Sequence, residues 1–248
     1  DHTELFFKYL NLPIKIIKKR RYDIIHIKGE QQFCSFKYQI PGDISSSSFF
    51  VVLTILSRKS ELKIKNVNVN PSRVGFIKII NKMGGKIRFK NKRKVFGEYM
   101  ADLHIKSQKK IKSINCPVKF NSNAIDEFLI IFLLASKAKG VSKFSNLGEL
   151  NKKESPRLKL GSSILNMMGI KTVLKNNTLK VYGDPKLKIK KEIKIKNYYK
   201  DHRIFMTSVI AALVLGGKWT IYDVNSYKSS FPSFMNILRK IGFNATYK

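Results

Sequence analysis

The chain has 248 residues, 43% of them apolar, and a formal net charge of +33. That length suits one large domain or two smaller ones, with apolar residues enough for a sizeable core. So much positive charge would fit a nucleic-acid or anionic-surface partner. The cations are mostly lysine, with nine arginines among 49 basic residues, and they run along the whole chain without an arginine-rich arm, zinc-ligand spacing or an RNP-like aromatic motif. Lys, Ile, Asn and Phe are all abundant, so the drift of an AT-rich genome explains the charge better. The resulting field still attracts phosphorylated or carboxylated small molecules.

Cys34 and Cys116 are far apart and imply neither a disulfide framework nor a metal cluster. The apolar runs FLIIFLLA (128–135) and VIAALVLG (209–216) are far short of the roughly 20 residues of a membrane span. They read as buried helices.

In chain order, residues 1–40 read as a helix, TELFFKYLN, followed by strands PIKIIKK, DIIHIKG and QFCSFKYQI. The stretch DHTELFFKYLNL has acids and no cationic leader, so no signal peptide is expected. It opens inside a helix without an initiator Met, which suggests a fragment of something longer.

Next comes a block that recurs: a polar turn, an apolar helix, a tight turn and a strand. Its copies are 41–69, 121–147 and 199–224, with Asp43 or its neighbouring serines, Asn123 and Asp201 as candidate N-caps. Each copy leads into a second pattern, at 70–87, 155–172 and 231–246. There a proline (Pro71, Pro156, Pro232) precedes a helix-spaced run that ends in glycine (Gly84, Gly169, Gly242). Proline fits a helix start and glycine a helix C-terminus. The tails are β-prone, and KTVLKNNTLKVYG (171–183) carries a hairpin signal at NN. We therefore expect an α/β domain of three repeated βαβαββ-type units over residues 42–248. Residues 1–41 are expected to be the tail of a second, similar domain.

Three constellations fall in loops the copies share. In KKESPR, Lys153, Glu154 and Arg157 lie at a helix start, where free N–H groups favour anions and arginine can grip a carboxylate or phosphate through two bonds. Read alone, they make an ordinary charged cap. Asp126, with Glu127, opens a very apolar helix, and desolvation there is expected to raise its pKa. In KDHR, Asp201 is a natural N-cap, while Arg203 is poorly placed for the helix dipole and better explained by a bound anion. His202 can donate to phosphate or carry a proton. Two carboxylates and several cations without metal-ligand spacing suit acid–base chemistry on a phosphorylated, carboxylated substrate.

DHTE (1–4), PGDISSSSFF (41–50), NVNVNPSRVGFIKIINKMGGKI (66–87), IDE (125–127), KES-R (153–157), DHRI (201–204) and SSFPSF (229–234) stand in the order and spacing of one family. The chain resembles the C-terminal part of the EPSP synthases, 3-phosphoshikimate 1-carboxyvinyltransferases of aromatic amino acid biosynthesis. UDP-N-acetylglucosamine 1-carboxyvinyltransferases share the reaction type, but typically have Asp-Leu-Arg for DHR and lack KES.

The resemblance implies an inside-out α/β barrel in each of two domains, with the active site in the cleft between them. It implies transfer of the enolpyruvyl group of phosphoenolpyruvate to shikimate 3-phosphate, without cofactor or metal, in a monomeric cytoplasmic enzyme (plastid in a eukaryote). By motif, Asp126 is the base at the attacking hydroxyl and Glu154 the acid–base group at the enolpyruvyl methylene. Lys153 contacts shikimate 3-phosphate, and Arg157 and Arg203 hold phosphoenolpyruvate. His2 falls near a substrate-phosphate position, although the serine usual before it is absent. Ser229 stands where many members have Lys or Thr, which leaves Lys228 as the nearest cation. The family's aspartate before Arg157 is here Pro156, so Arg157 is expected to be held less firmly than in typical relatives. The N-terminal half of the family lies outside these 248 residues, and the chain alone is expected to be inactive. An inactive homologue and a basic nucleic-acid-binding module are the competing readings.

Overall fold

The computed structural model of the chain describes residues 1–20, 22–32 and 34–243. It begins with α1 (His2–Tyr9) and the antiparallel pair β1 (Ile14–Lys18) and β2 (Asp23–Ile27). Of the third strand expected at 32–40, Phe33 lies outside the described residues, and the described residues 34–40 form no strand. They are aromatic-rich instead, with Phe36 and Tyr38 packing edge-on against Phe6 of α1, and Tyr38 also meeting Phe96. The strand-like alternation here serves a small aromatic cluster and no ladder.

From residue 41 the elements run α2 (Ile44–Leu56), β3 (Glu61–Asn68), α3 (Gly75–Lys82), β4 (Lys86–Val95), β5 (Glu98–Lys106), β6 (Ile111–Lys112), α4 (Phe128–Ser136), β7 (Ala138–Phe144) and α5 (Arg157–Met167). Then follow β8 (Thr172–Lys175), β9 (Thr178–Gly183), β10 (Glu192–Ile195), α6 (His202–Leu215), β11 (Lys218–Ile221) and α7 (Phe234–Lys240). The sheets are ordered β3-β5-β4, β6-β7-β9-β8 and β10-β11. β6 and β10 pair in parallel with β7 and β11 across α4 and α6, and a parallel bridge from Gly42 to Val67 spans α2 in the same way.

The three crossover helices, α2, α4 and α6, pack on one another. That explains why they are apolar on nearly every face: all nine residues of α4 are buried. A second set, α3, α5 and α7, ends in matching caps. The left-handed glycines Gly84, Gly169 and Gly242 have φ of 92°, 87° and 95°. The residue after each glycine donates its N–H to the carbonyl five residues before it: Gly85 to Ile80, Ile170 to Leu165 and Phe243 to Leu238, at 2.9–3.0 Å. These are Schellman caps, and they turn three chemically different helices into the same exit. The β-prone tail expected after Gly242 lies outside the described residues. Asn176 and Asn177, at φ 48° and 58°, make the tight β8–β9 turn that the NN pair signals.

Two N-caps form as expected. Asp43 accepts from the N–H of Ser45 and Ser46, and Asp201 from those of Arg203 and Ile204. Asn123 does not cap α4. It lies in a 3-10 turn, Ser122–Glu127, that precedes the helix, and its amide donates to Pro71 O at 3.3 Å. This turn is closely fitted against α3. A Cβ built on Gly75 would fall 2.7–2.8 Å from Asn123 C, O and Cβ, which are mostly rigid backbone. Gly75→Ala is therefore expected to lower stability by about 1–3 kcal/mol through overpacking. A urea midpoint equal to wild type would show that the turn yields freely.

Candidate active site

Five of the seven residues singled out by sequence come together, on the starts of three neighbouring elements. Asp126 sits in the 3-10 turn before α4, Lys153 and Glu154 precede α5, Arg157 opens α5, and Arg203 is in the first turn of α6. Lys153 Nζ is 3.3 Å from Asp126 Oδ1, and Arg157 Nη1 is 3.5 Å from the same oxygen. Arg157 Nη2 also pairs with Glu154. Arg203 Nη1 donates to the backbone carbonyl of Asp126 at 2.9 Å, tying α6 to the turn.

At the centre is a group that the motif reading did not assign to the site's ionic core. Asp201 caps α6 with Oδ1 and accepts from Arg157 Nε with Oδ2 at 2.8 Å, while the Ser155 hydroxyl donates to Oδ2 at 2.7 Å. The side chains of Arg157 and Asp201 are 1% and 0% exposed. A buried ion pair is tolerated only when its remaining donors and acceptors are filled, and here they are. The signal was available, because an N-cap aspartate facing a helix-start arginine in the neighbouring copy can serve both.

With Pro156 in place of the family's aspartate, Arg157 is buried and held by three carboxylates, those of Asp126, Glu154 and Asp201. Pro156 is the N-cap residue of α5 and gives the helix no side-chain cap bond. Pro156→Asp is thus expected to stabilise the fold by about 1 kcal/mol as a new N-cap, read as a raised urea midpoint. A lowered midpoint would mean that the proline's rigidity matters more.

The electrostatics correct the expectation for Asp126. Desolvation does raise its pKa, but Arg203, Lys153 and Arg157 outweigh this and hold the carboxyl below its ordinary 3.8. It is Glu127, the next residue, that is pushed up, first by burial. Asp201 is likewise pulled below 3.8: burial raises it, while Arg157, Ser155 and the α6 backbone lower it further. Burial, then Arg203 and Arg157, depress His202, so its ring favours the neutral form.

For Asp126 and Asp201 the folded pKa lies below the unfolded one. Their contribution is complete above the unfolded value and is lost as pH falls through the folded value. Stability is expected to drop steeply below about pH 4, seen in acid titration by circular dichroism. Asp201→Asn should flatten that drop. An unchanged acid midpoint would contradict this assignment.

Two predicted residues stand elsewhere. His2 Nδ1 pairs with Glu98, which also accepts from the Asn68 and Asn70 amides at 3.0 and 3.1 Å. That network joins α1 to the β3–β5 edge. Lys228 is exposed and lines a hollow with Pro232, Asn236 and Arg239. Ser229 faces a different hollow, of about 580 Å³, with Ser226 and Lys200. The two hollows adjoin, with Val224 and Asn225 lining both. Among the described residues no group of His, Cys, Asp or Glu could hold a metal ion, and no helix is long and apolar enough to cross a membrane.

A family model for EPSP synthase (3-phosphoshikimate 1-carboxyvinyltransferase) matches residues 1–238. The chain belongs to the EPSP synthase family. The 3-phosphoshikimate 1-carboxyvinyltransferase of Ruthia magnifica is 36% identical over 98% of this chain and 54% of its own length. That of Zymomonas mobilis is 33% identical, with the same coverages. An EPSP synthase structure from Acinetobacter baumannii superposes with a TM-score of 0.87 at 30% identity, over 97% of this chain and 54% of that one. The enolpyruvyl transferase NikO from Streptomyces tendae, at 14% identity and TM-score 0.68, shares the fold. The chain spans about half the length of the EPSP synthases it matches.

Proposed function

We propose that this chain is the part of an EPSP synthase that carries the acid–base groups and one wall of the substrate cleft. The reaction is transfer of the enolpyruvyl group from phosphoenolpyruvate to shikimate 3-phosphate. The observation that carries this reading is the convergence of Asp126, Lys153, Glu154, Arg157 and Arg203 on the starts of three elements, in a family of this activity.

Asp126, ionised at neutral pH, takes the proton of the attacking hydroxyl. Its low pKa makes it a weak base in the empty site. A phosphate or carboxylate that attracts Lys153 and Arg203 relieves that depression as substrate binds. Glu154, more than half exposed, protonates the enolpyruvyl methylene during addition. It then takes a proton back from the methyl group so formed as phosphate leaves, which restores the C=CH2 bond. Its contact with Arg157 Nη2 is the one a substrate carboxylate would replace, so Arg157 can serve a substrate while Asp201 keeps it fixed.

In this reading residues 42–248 hold three βαβαββ units forming an inside-out α/β barrel, and residues 1–41 belong to a second domain. The matching parallel crossovers and Schellman caps support that division. The 248 residues by themselves supply one wall and are expected to give no measurable turnover. The enzyme is expected to work as a cytoplasmic monomer without a cofactor.

A bacterial strain that requires aromatic amino acids because it lacks this transfer tests the reading. The full gene product should restore growth and its Asp126→Asn variant should not. Failure of an expressed, folded gene product to restore growth would overturn it.

A further inference from the structure

Asp126 is carried by a turn without any side-chain cap of its own, so neighbours must hold it. Arg203 grips its carbonyl, and the close fit of Asn123 on Gly75 holds its start. A further grip comes from Glu127, which the proposed chemistry does not use. Glu127 is 2% exposed. Its carboxyl accepts from the Ser45 hydroxyl in the first turn of α2, and that hydroxyl accepts from Arg73 Nη2 at 2.7 Å. A buried carboxyl is costly against an apolar side chain of similar size. Its neighbours in α4 are all apolar, so packing alone gives no reason for an acid here.

We propose that Glu127 is a positioning residue for Asp126: bonded through Ser45 to Arg73, it locks the 3-10 turn onto α2 and keeps the Asp126 carboxylate against Lys153 and Arg157. The inference rests on Asp126 being the base of the proposed reaction. The groups facing Glu127 are Ser45 on α2, Arg73 before α3, Arg203 on α6 and Asp126 beside it. Burial favours its protonated form, and Ser45, Arg203 and Arg73 oppose that. A neutral glutamine can still accept the Ser45 hydroxyl, whereas alanine releases it.

The test compares Glu127→Gln and Glu127→Ala in the full gene product, with Ser45→Ala as a second way to break the link should the alanine variant fail to fold. Glu127→Gln should keep kcat within about threefold of wild type. Glu127→Ala and Ser45→Ala should lower kcat by about tenfold to a hundredfold, with KM little changed, as the base drifts from its place. Drift away from three cations must also raise the Asp126 titration midpoint, read by the carboxyl 13C shift. The acid limb of kcat/KM should move to higher pH with it. A purely packing role for Glu127 would lower stability and leave that midpoint in place. An unmoved midpoint in the alanine variants, or a glutamine variant as impaired as alanine, overturns the proposal. If wild type shows no enolpyruvyl transfer, the parent reading fails, and the 13C titration still decides the role of Glu127.

Discussion

Asp201→Ala should destabilise the fold by about 3–5 kcal/mol, the largest loss expected from any single polar substitution in this chain. Three effects add. Arg157, 1% exposed, loses the partner at Nε and keeps a buried charge. Ser155 loses the acceptor for its hydroxyl. α6 loses its N-cap, worth about 1 kcal/mol. Glu154 and Asp126 remain near Arg157, so the loss stays below that of a fully orphaned cation. Asp201→Asn retains the cap and drops the charge, and should fall between wild type and alanine. Urea unfolding of the three proteins measures this. A loss under about 1 kcal/mol for alanine would fit an exposed pair and would refute a buried one.

Asp126→Asn should lower kcat by about a hundredfold to ten-thousandfold, the usual range for removing a general base. Asparagine keeps the shape of the side chain but cannot take the hydroxyl proton. The backbone grip of Arg203 on residue 126 is untouched by the change, so the turn should persist and substrate affinity should alter far less than turnover. Relief of a carboxylate that now binds Lys153 and Arg157 could even tighten anion binding. A variant with wild-type kcat would remove Asp126 from the chemistry.

Much of this molecule is readable along the chain, and the reasons are local. The glycine after each of α3, α5 and α7 needs positive φ, and the NN pair needs a type I′ turn, so both are legible in a few residues. The uniform apolarity of α2, α4 and α6 speaks of burial on all sides, which their mutual packing explains. What the pattern missed is relational. QFCSFKYQI alternates like a strand, yet its described residues 34–40 form none, and Phe36 and Tyr38 pack on Phe6 of α1. Asn123 has the chemistry of a cap, but the 3-10 turn in front of α4 takes it out of position. The Asp126 pKa depends on three cations from two other loops, which no reading of its own apolar helix contains.

The most direct test of the account is the reaction itself, followed by 31P NMR on the full gene product with shikimate 3-phosphate and phosphoenolpyruvate. The account predicts that inorganic phosphate and the phosphorylated enolpyruvyl ether appear together in equal amounts, and that both form at least about a hundredfold more slowly in Asp126→Asn. Phosphate without the ether, or neither product from a folded protein, would contradict it.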